Sequence, residues 1–253
     1  MSTNPPQQAK IIIVQYPGFT PTTTLSPPCG KVHMALAFKK LDYEVLALSS
    51  PTQVKRYNPR GRLPVLSIDD ELIVDSSDIL TELDRRFLHS PMLPEEPIDR
   101  ARASMLEDWA DEVLYFYDVW YRWLDPRNAK RMKREVLAHL PIPFRWLVPP
   151  LAAREVRRRA RGQGIGLKEP AAVRREYREC LDCLVELLRY DDYLVAGRMT
   201  RADFAVCAVL DQLRIPRLTP DAAAEIDARP EVVAWLERIH RHIPNAVTGE
   251  RTE

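Results

Sequence analysis

Little in this sequence can act as a covalent or metallic staple. The 253 residues include four cysteines, Cys29, Cys180, Cys183 and Cys207, too few and too unevenly spaced to build a disulfide framework for a chain this long, so reduced thiols are expected. Cys180 and Cys183 share a helix face, but no second ligand pair accompanies them. His33, His89, His139, His240 and His242 show no ligand spacing either, so no metal is expected. Long apolar runs are missing too. No segment approaches the roughly 20 apolar residues of a membrane span, and Met1 to Lys10 is polar and proline-containing, without the apolar stretch of a signal peptide. These absences point to a soluble, cytoplasmic protein. There is no internal repeat, and neither sign of charge dominates, the net being +1.

That near-neutral balance hides an uneven distribution. Between Arg127 and Arg175 there are 14 Lys/Arg against three acids, whereas the rest of the chain carries 23 basic and 33 acidic residues. Any long-range attraction for anions therefore comes from the middle of the chain. The cluster Arg154 to Arg161 is the kind of run that binds nucleic acid or acidic lipid, but a solvated basic helix is the simpler reading, and no nucleic-acid partner is expected.

The first 88 residues alternate strand and helix. Ile11-Ile12-Ile13-Val14 is a β-branched run suited to a strand buried on both faces. After an irregular Pro/Thr-rich loop, Pro17 to Leu25, Ser26 stands where a cap is wanted and Pro27 suits the first helical position, and the helical pattern continues through Val32 and Leu36 to Leu41. Tyr43 to Leu48 reads as a second strand, which makes a right-handed βαβ unit. A helical or turn segment near Pro51 to Tyr57 and a turn at Asn58-Pro59-Arg60-Gly61 lead to a third strand, Leu63 to Ile68, with its proline at the beginning, where no ladder donor is missing. Asp69-Asp70 turns the chain into Leu72-Ile73-Val74, and Asp75 or Ser76 caps a helix to about Phe87 with Ile79, Leu80, Leu83 and Phe87 on one face. The expected sheet has order 2-1-3-4 with only the 71–74 strand antiparallel to the others.

His89 to Pro97 holds three prolines and no periodicity, so residues 1–88 and 98–253 are expected to be separate domains with 89–97 as the linker. The second reads as all helix: a long aromatic segment from Ala101 to Leu124, basic stretches at about 128–139 and 151–162 separated by a proline-punctuated turn, then helices near 170–189, 201–213 and 230–242. Thr200-Arg201-Ala202-Asp203 has the form of a capping box, with Met199 and Phe204 placed as a hydrophobic staple.

Three strings in the first domain carry a resemblance. Ser26-Pro27-Pro28-Cys29-Gly30-Lys31-Val32, then Gly61-Arg62-Leu63-Pro64-Val65-Leu66, then Val74-Asp75-Ser76 resemble, in order and spacing, the glutathione site of glutathione transferases. Gly197 to Asp203 is similar to that family's capped core helix. The resemblance implies a thioredoxin-like βαβ-ββα domain followed by an all-helical one. It further implies a transferase that joins glutathione, as co-substrate, to a small and largely apolar electrophile, and that works as a homodimer.

The resemblance gives Ser26 the catalytic role, and its position is chemically suited to that. Its hydroxyl lies at a helix N-terminus, where an anion such as a thiolate is favoured. Lowering a thiol pKa by about two units requires about 2.7 kcal/mol. A hydrogen bond to a charged acceptor gives about 1.5–3 kcal/mol and the helix dipole about 0.3–1 more, so Ser26 and its helix suffice. The plainer alternative is a structural N-cap. Leu63-Pro64 resembles the family's cis-proline, which turns the Leu63 main chain toward the cysteinyl part of glutathione; an ordinary trans-proline opening a strand is the other reading. Asp75 and Ser76 would take the γ-glutamyl ammonium and carboxylate, in place of the commoner Glu-Ser, or simply cap a helix. Arg62 or Lys55 would hold the glycyl carboxylate. Cys29, three residues after Ser26, is either a small buried core residue or a reactive thiol. With serine at the first position no dithiol relay is available, which argues against a disulfide oxidoreductase.

Two features depart from the usual pattern. The loop Pro17 to Leu25 is long, and a basic insert ends in Gly162-Gln163-Gly164-Ile165-Gly166. Both are similar to the metaxin and failed-axon-connections branch of the superfamily, in which catalysis is not assured. A non-catalytic binding or adaptor protein on the same fold is therefore the alternative function.

Overall fold

The computed structural model describes residues 9–20, 23–48, 50–138 and 148–243. His139, Arg145 and the proline-punctuated turn before the second basic stretch lie outside the described residues, as do Met1 to Gln8. The described residues divide into two compact units: those up to Leu93 together with 240–243, and those between Pro94 and Ile239.

The first unit is built on a four-stranded sheet. In chain order come β1 (Ile11–Gln15), α1 (Pro27–Phe38), β2 (Glu44–Ala47), α2 (Pro51–Tyr57), β3 (Val65–Ile68), β4 (Glu71–Val74) and α3 (Ser76–Arg86). The strands lie in the order β2-β1-β3-β4. β2 runs parallel to β1, with Ile12 opposite Glu44 and Gln15 opposite Ala47. The expectation that 71–74 is the one reversed strand is corrected. β3 is antiparallel to β1, with Val14 opposite Val65, and also to β4, with Val65 opposite Val74. β4 therefore points the same way as β1 and β2. The connection explains the reversal: β1 and β2 finish at one end of the sheet, and the seven residues of α2 do not carry the chain back to the other end before β3 begins.

Local chemistry sets the ends of these elements. α1 starts on two prolines after Ser26 and stops at Phe38, three residues short of the sequence expectation, because Lys40 turns into the left-handed region at φ 52°. The Leu41 N–H then returns to the Leu36 carbonyl at 3.0 Å and the Lys40 N–H to Ala37 at 3.0 Å, satisfying carbonyls that a helix end leaves open. Asp69 and Asp70, at φ 49° and 67°, form the tight hairpin, a conformation short polar side chains tolerate. Beneath α1 the lysine Lys39 is fully buried, and its ammonium bonds the carbonyls of Phe87, His89 and Ser90 and the carboxylate of Asp84 at 2.8 Å. A buried charge needs such partners, and these fasten the segment after α3 to α1.

The second unit is helical: α4 (Pro97–Trp109), α5 (Tyr115–Val119), α6 (Ala129–Ala138), α7 (Val148–Gln163), α8 (Pro170–Tyr190), α9 (Arg201–Leu213), α10 (Pro220–Asp227) and, as far as Ile239, α11 (Pro230–His242). The expected aromatic helix 101–124 is interrupted by two five-residue π-helical turns, Ala110–Leu114 and Trp120–Leu124. Around them Asp118 and Arg122 form a buried pair at 2.8 Å, and Arg122 also donates to Gln212 Oε1 at 2.8 Å. Burial pushes the Asp118 carboxyl up to about 6 despite Arg122. The capping box at the head of α9 is formed as the sequence indicates. Asp203 accepts from Thr200 N (2.8 Å), Thr200 Oγ1 (2.9 Å), Leu194 N (3.0 Å) and Trp235 Nε1 (3.0 Å), while Met199 and Phe204 are buried. Among the described residues no helix is long and apolar enough to cross a membrane.

Candidate functional site

The sheet register gathers the three sequence strings. Val65 lies opposite both Val14 and Val74. The end of β1, the start of β3 and the end of β4 therefore share one end of the sheet, and from it emerge the loop to Ser26, the Leu63-Pro64 step and the Asp75-Ser76 turn. Lys31, buried in α1, completes the link by donating to Ser77 Oγ at 2.9 Å.

Ser26 precedes α1 with extended backbone, φ −105° and ψ 115°, and its side chain makes no capping hydrogen bond. The N-cap position is thus occupied by a half-buried hydroxyl that is not used as a cap; Pro27 and Pro28 have no N–H and Gly30 N donates to the Ser26 carbonyl at 2.9 Å, which leaves the Cys29 N–H as the first-turn donor beside it. Below it sits Cys29, fully buried against Val14, Leu48, Val54, Leu63 and Val65. Its thiol adjoins the hydroxyls of Ser26 and Thr24 and the main chain of Tyr16, yet burial pushes it up to about 11. It remains a thiol at neutral pH, and a protonated sulfur without solvent access is a poor nucleophile.

The Leu63-Pro64 peptide bond is cis. Among the described residues none donates to or accepts from the Leu63 main chain. Asp75 is exposed and caps α3, its Oδ1 accepting from Ser77 N at 2.9 Å; its other carboxylate oxygen has no partner among the described residues. Its φ of 80° is a conformation that costs a non-glycine residue about 1–3 kcal/mol and that concentrates at ligand sites. Ser76 is buried at the first position of α3. Lys55 and Arg62 are both exposed, and Lys55 runs beside Gly61, its Cγ 3.9 Å from where a glycine-to-alanine methyl would sit. Neither cation has an ion-pair partner among the described residues.

Four residues outside the sequence reading belong to this end of the domain: Gln15, Thr24, Lys31 and His33, each buried. His33 bonds Tyr43 Oη at 2.8 Å through Nδ1 and Gln15 Oε1 at 2.6 Å through Nε2. Burial lowers its pKa to about 4. Gln15, Lys31 and His33 are polar residues inside apolar runs, which is the one signal by which the sequence marks them; Thr24, in the Pro/Thr-rich loop, has none.

The arrangement offers a hydroxyl and the N-terminal end of α1 for an anion, a strand-like main chain for an extended peptide, and a carboxylate beside a helix N-terminus for a zwitterionic end group. Comparison with known proteins bears on the family of the chain. The family model for the glutathione S-transferase N-terminal domain matches residues 22–91, and that for the C-terminal domain matches residues 145–242. A stringent starvation protein A homologue of Histophilus somni is 29% identical over 128 residues, 45% of this chain and 57% of that protein, so the chain spans little more than half its length. Protein LigF of Sphingobium sp. is 25% identical over 198 residues, 74% of this chain and 72% of LigF. The crystal structure of that β-etherase superposes with a TM-score of 0.66, at 22% identity over 94% of this chain and 98% of the other. A glutathione S-transferase of Methylobacterium radiotolerans, solved in complex with glutathione sulfonate, gives a TM-score of 0.60 at 23% identity over 96% of this chain and 97% of the other. At such identities the structures speak for the fold. The two domain models match in succession and together cover more than half of the chain, so the chain belongs to the glutathione S-transferase superfamily.

Proposed function

We propose that this protein binds glutathione at the sheet end described above and joins its thiolate to a small, largely apolar electrophile. The observation that carries the reading is Ser26: a hydroxyl at a helix N-terminus that does no capping, one hydrogen-bond length from where a sulfur anion would be favoured. Its O–H donates to the sulfur and holds it as thiolate. The sulfur then forms a bond to the electrophilic carbon, whose leaving group departs with the electron pair of the broken bond. The Leu63 main chain pairs with the cysteinyl unit, Asp75 takes the γ-glutamyl ammonium, Ser76 and the α3 N-terminus take the γ-glutamyl carboxylate, and Arg62 or Lys55 the glycyl carboxylate. The deep burial of Cys29 supports serine rather than cysteine chemistry. A cytoplasmic homodimer belongs to the same reading and is checked by light scattering of the purified protein.

Ser26→Ala tests the assignment. Alanine removes a stabiliser of the charged form only, so the bound thiol's pKa is expected to rise by about one to two units while glutathione still binds. Conjugation at neutral pH then falls about 10–100-fold and partly recovers at high pH. Identical ultraviolet titrations of bound thiolate in wild type and variant would leave Ser26 without a catalytic role and return the chain to the adaptor reading.

A further inference from the structure

The loop that delivers Ser26 is held from inside the domain by a run of polar groups that ends on the Thr23 carbonyl and by a local bond from the next residue, Thr24, to Ser26. Gln15 Nε2 donates to the Thr23 carbonyl at 3.1 Å; the flipped amide would set two acceptors against each other. Gln15 Oε1 is therefore the atom facing His33, and at 2.6 Å His33 Nε2 must carry the proton. Burial keeps the ring neutral near pH 7, so Nδ1 is bare and accepts the Tyr43 O–H at 2.8 Å. The imidazole is neutral, in a single tautomer, with every polar atom satisfied. At the far end the Thr23 carbonyl also accepts Gly18 N at 2.8 Å, an approach so close that a methyl on Gly18 would lie 2.6 Å from Thr23. The next residue, Thr24, is fully buried, and its Oγ1 accepts the Ser26 N–H at 3.1 Å. The run thus begins just before β2, crosses α1 and the end of β1, and ends on the Thr23 carbonyl; the main chain from Thr23 to Thr24 joins it to the separate bond on Ser26 N.

We propose that Tyr43, His33, Gln15 and Thr24 are positioning residues that fix the Ser26 hydroxyl in the orientation needed to hold a thiolate. The inference rests on the glutathione reading above. It adds that the catalytic geometry is set by a buried side-chain relay and not by the N-terminal capping interactions of α1, which Ser26 does not make. Gln15 is the keystone, because its amide has both an acceptor committed to α1 and a donor committed to the loop, so an apolar residue there disconnects the two. A side chain misplaced by less than an ångström loses a hydrogen bond whose strength depends steeply on angle, whereas the glutathione-binding groups at Leu63 and Asp75 lie on other segments.

The test is ultraviolet titration of bound glutathione thiolate, with steady-state conjugation kinetics, in the full chain. Gln15→Leu is expected to raise the thiolate pKa by about one unit and to lower kcat about tenfold at neutral pH with the KM for glutathione little changed. Tyr43→Phe and Thr24→Val should move the titration in the same direction by a smaller amount. In a Ser26→Ala background Gln15→Leu should produce no further shift, because it acts through Ser26. A merely structural role would lower the melting temperature and leave the titration where it was. Unchanged titrations in folded Gln15→Leu, or in Tyr43→Phe and Thr24→Val should Gln15→Leu not fold, overturn the inference, as does an equal shift with and without Ser26. A wild-type protein whose bound thiol titrates as free glutathione does would instead overturn the glutathione reading, and this inference with it.

Discussion

Replacing His33 should change how stability depends on pH. Burial holds the folded-state pKa near 4 against an ordinary value of 6.5, so the unfolded chain takes up a proton below pH 6.5 and the folded chain does not until about pH 4. A depressed pKa of this kind stabilises the fold above 6.5, loses that contribution as pH falls through the window, and adds no further pH dependence below about 4. The difference amounts to about 3 kcal/mol. His33→Gln keeps a side-chain amide that can reach Gln15 from the Nε2 position and removes the titration. Urea unfolding of both proteins at several values between pH 7.5 and 4 isolates the effect, since every other titrating group is common to the pair. The wild type is expected to be the more stable near pH 7, and its lead should shrink by about 3 kcal/mol by pH 4. A stability gap that stays constant across the window would mean that His33 titrates alike in both states, and the tautomer assigned to the Tyr43–His33–Gln15 run would fall with it.

Asp75→Ala should weaken glutathione binding by about 1.5–3 kcal/mol through loss of a charge-assisted hydrogen bond; calorimetry showing unchanged affinity would remove Asp75 from the site. Asp203→Ala leaves the N–H groups of Leu194, Thr200 and Trp235 without their acceptor and should destabilise the fold by about 3–5 kcal/mol, a loss that chemical denaturation would detect and that a shift under about 1 kcal/mol would contradict. Native protein treated with a small alkylating agent at neutral pH should label the exposed Cys183 and spare Cys29 and Cys207, which are buried; mass spectrometry finding Cys29 modified first would reopen the reactive-thiol reading of that residue.

What could be read from the sequence was what short-range chemistry decides. Ser26-Pro27-Pro28, Asp69-Asp70, Asp75-Ser76 and Thr200 to Asp203 each announce a cap or turn within four residues, and the structure places helix starts and a hairpin there. The π-helical turns in 110–124 have no such signature, because the extra residue they fit into a turn is tied to no one residue type. Helix α10 has no comparable mark, because eight residues opening on a lone Thr219-Pro220 pair are too few for a periodicity to stand out.

The direction of β3 shows where local reading stops. A tight turn at Asp69-Asp70 requires β3 and β4 to oppose each other, but it does not say which of the two follows β1. That choice depends on the segment from Leu48 to Pro64. A parallel return needs a crossover of a dozen or more residues that also spans the sheet; the segment is long enough, yet its regular part is only α2, about 10 Å of helix. The remaining residues are bound up locally, with Asn58 Nδ2 donating to the Arg62 carbonyl at 2.9 Å and Asn58 Oδ1 accepting from Arg60 N at 3.0 Å. Chain folded back on itself in this way does not cross the sheet, so β3 starts at the end where β1 stops. The same reversal delivers Leu63 and Pro64 to the sheet end that holds Ser26 and Asp75. A parallel β3 would begin opposite Ile11 and carry Leu63 to the far end, so the strand direction that the sequence leaves open is also the one on which the candidate site depends.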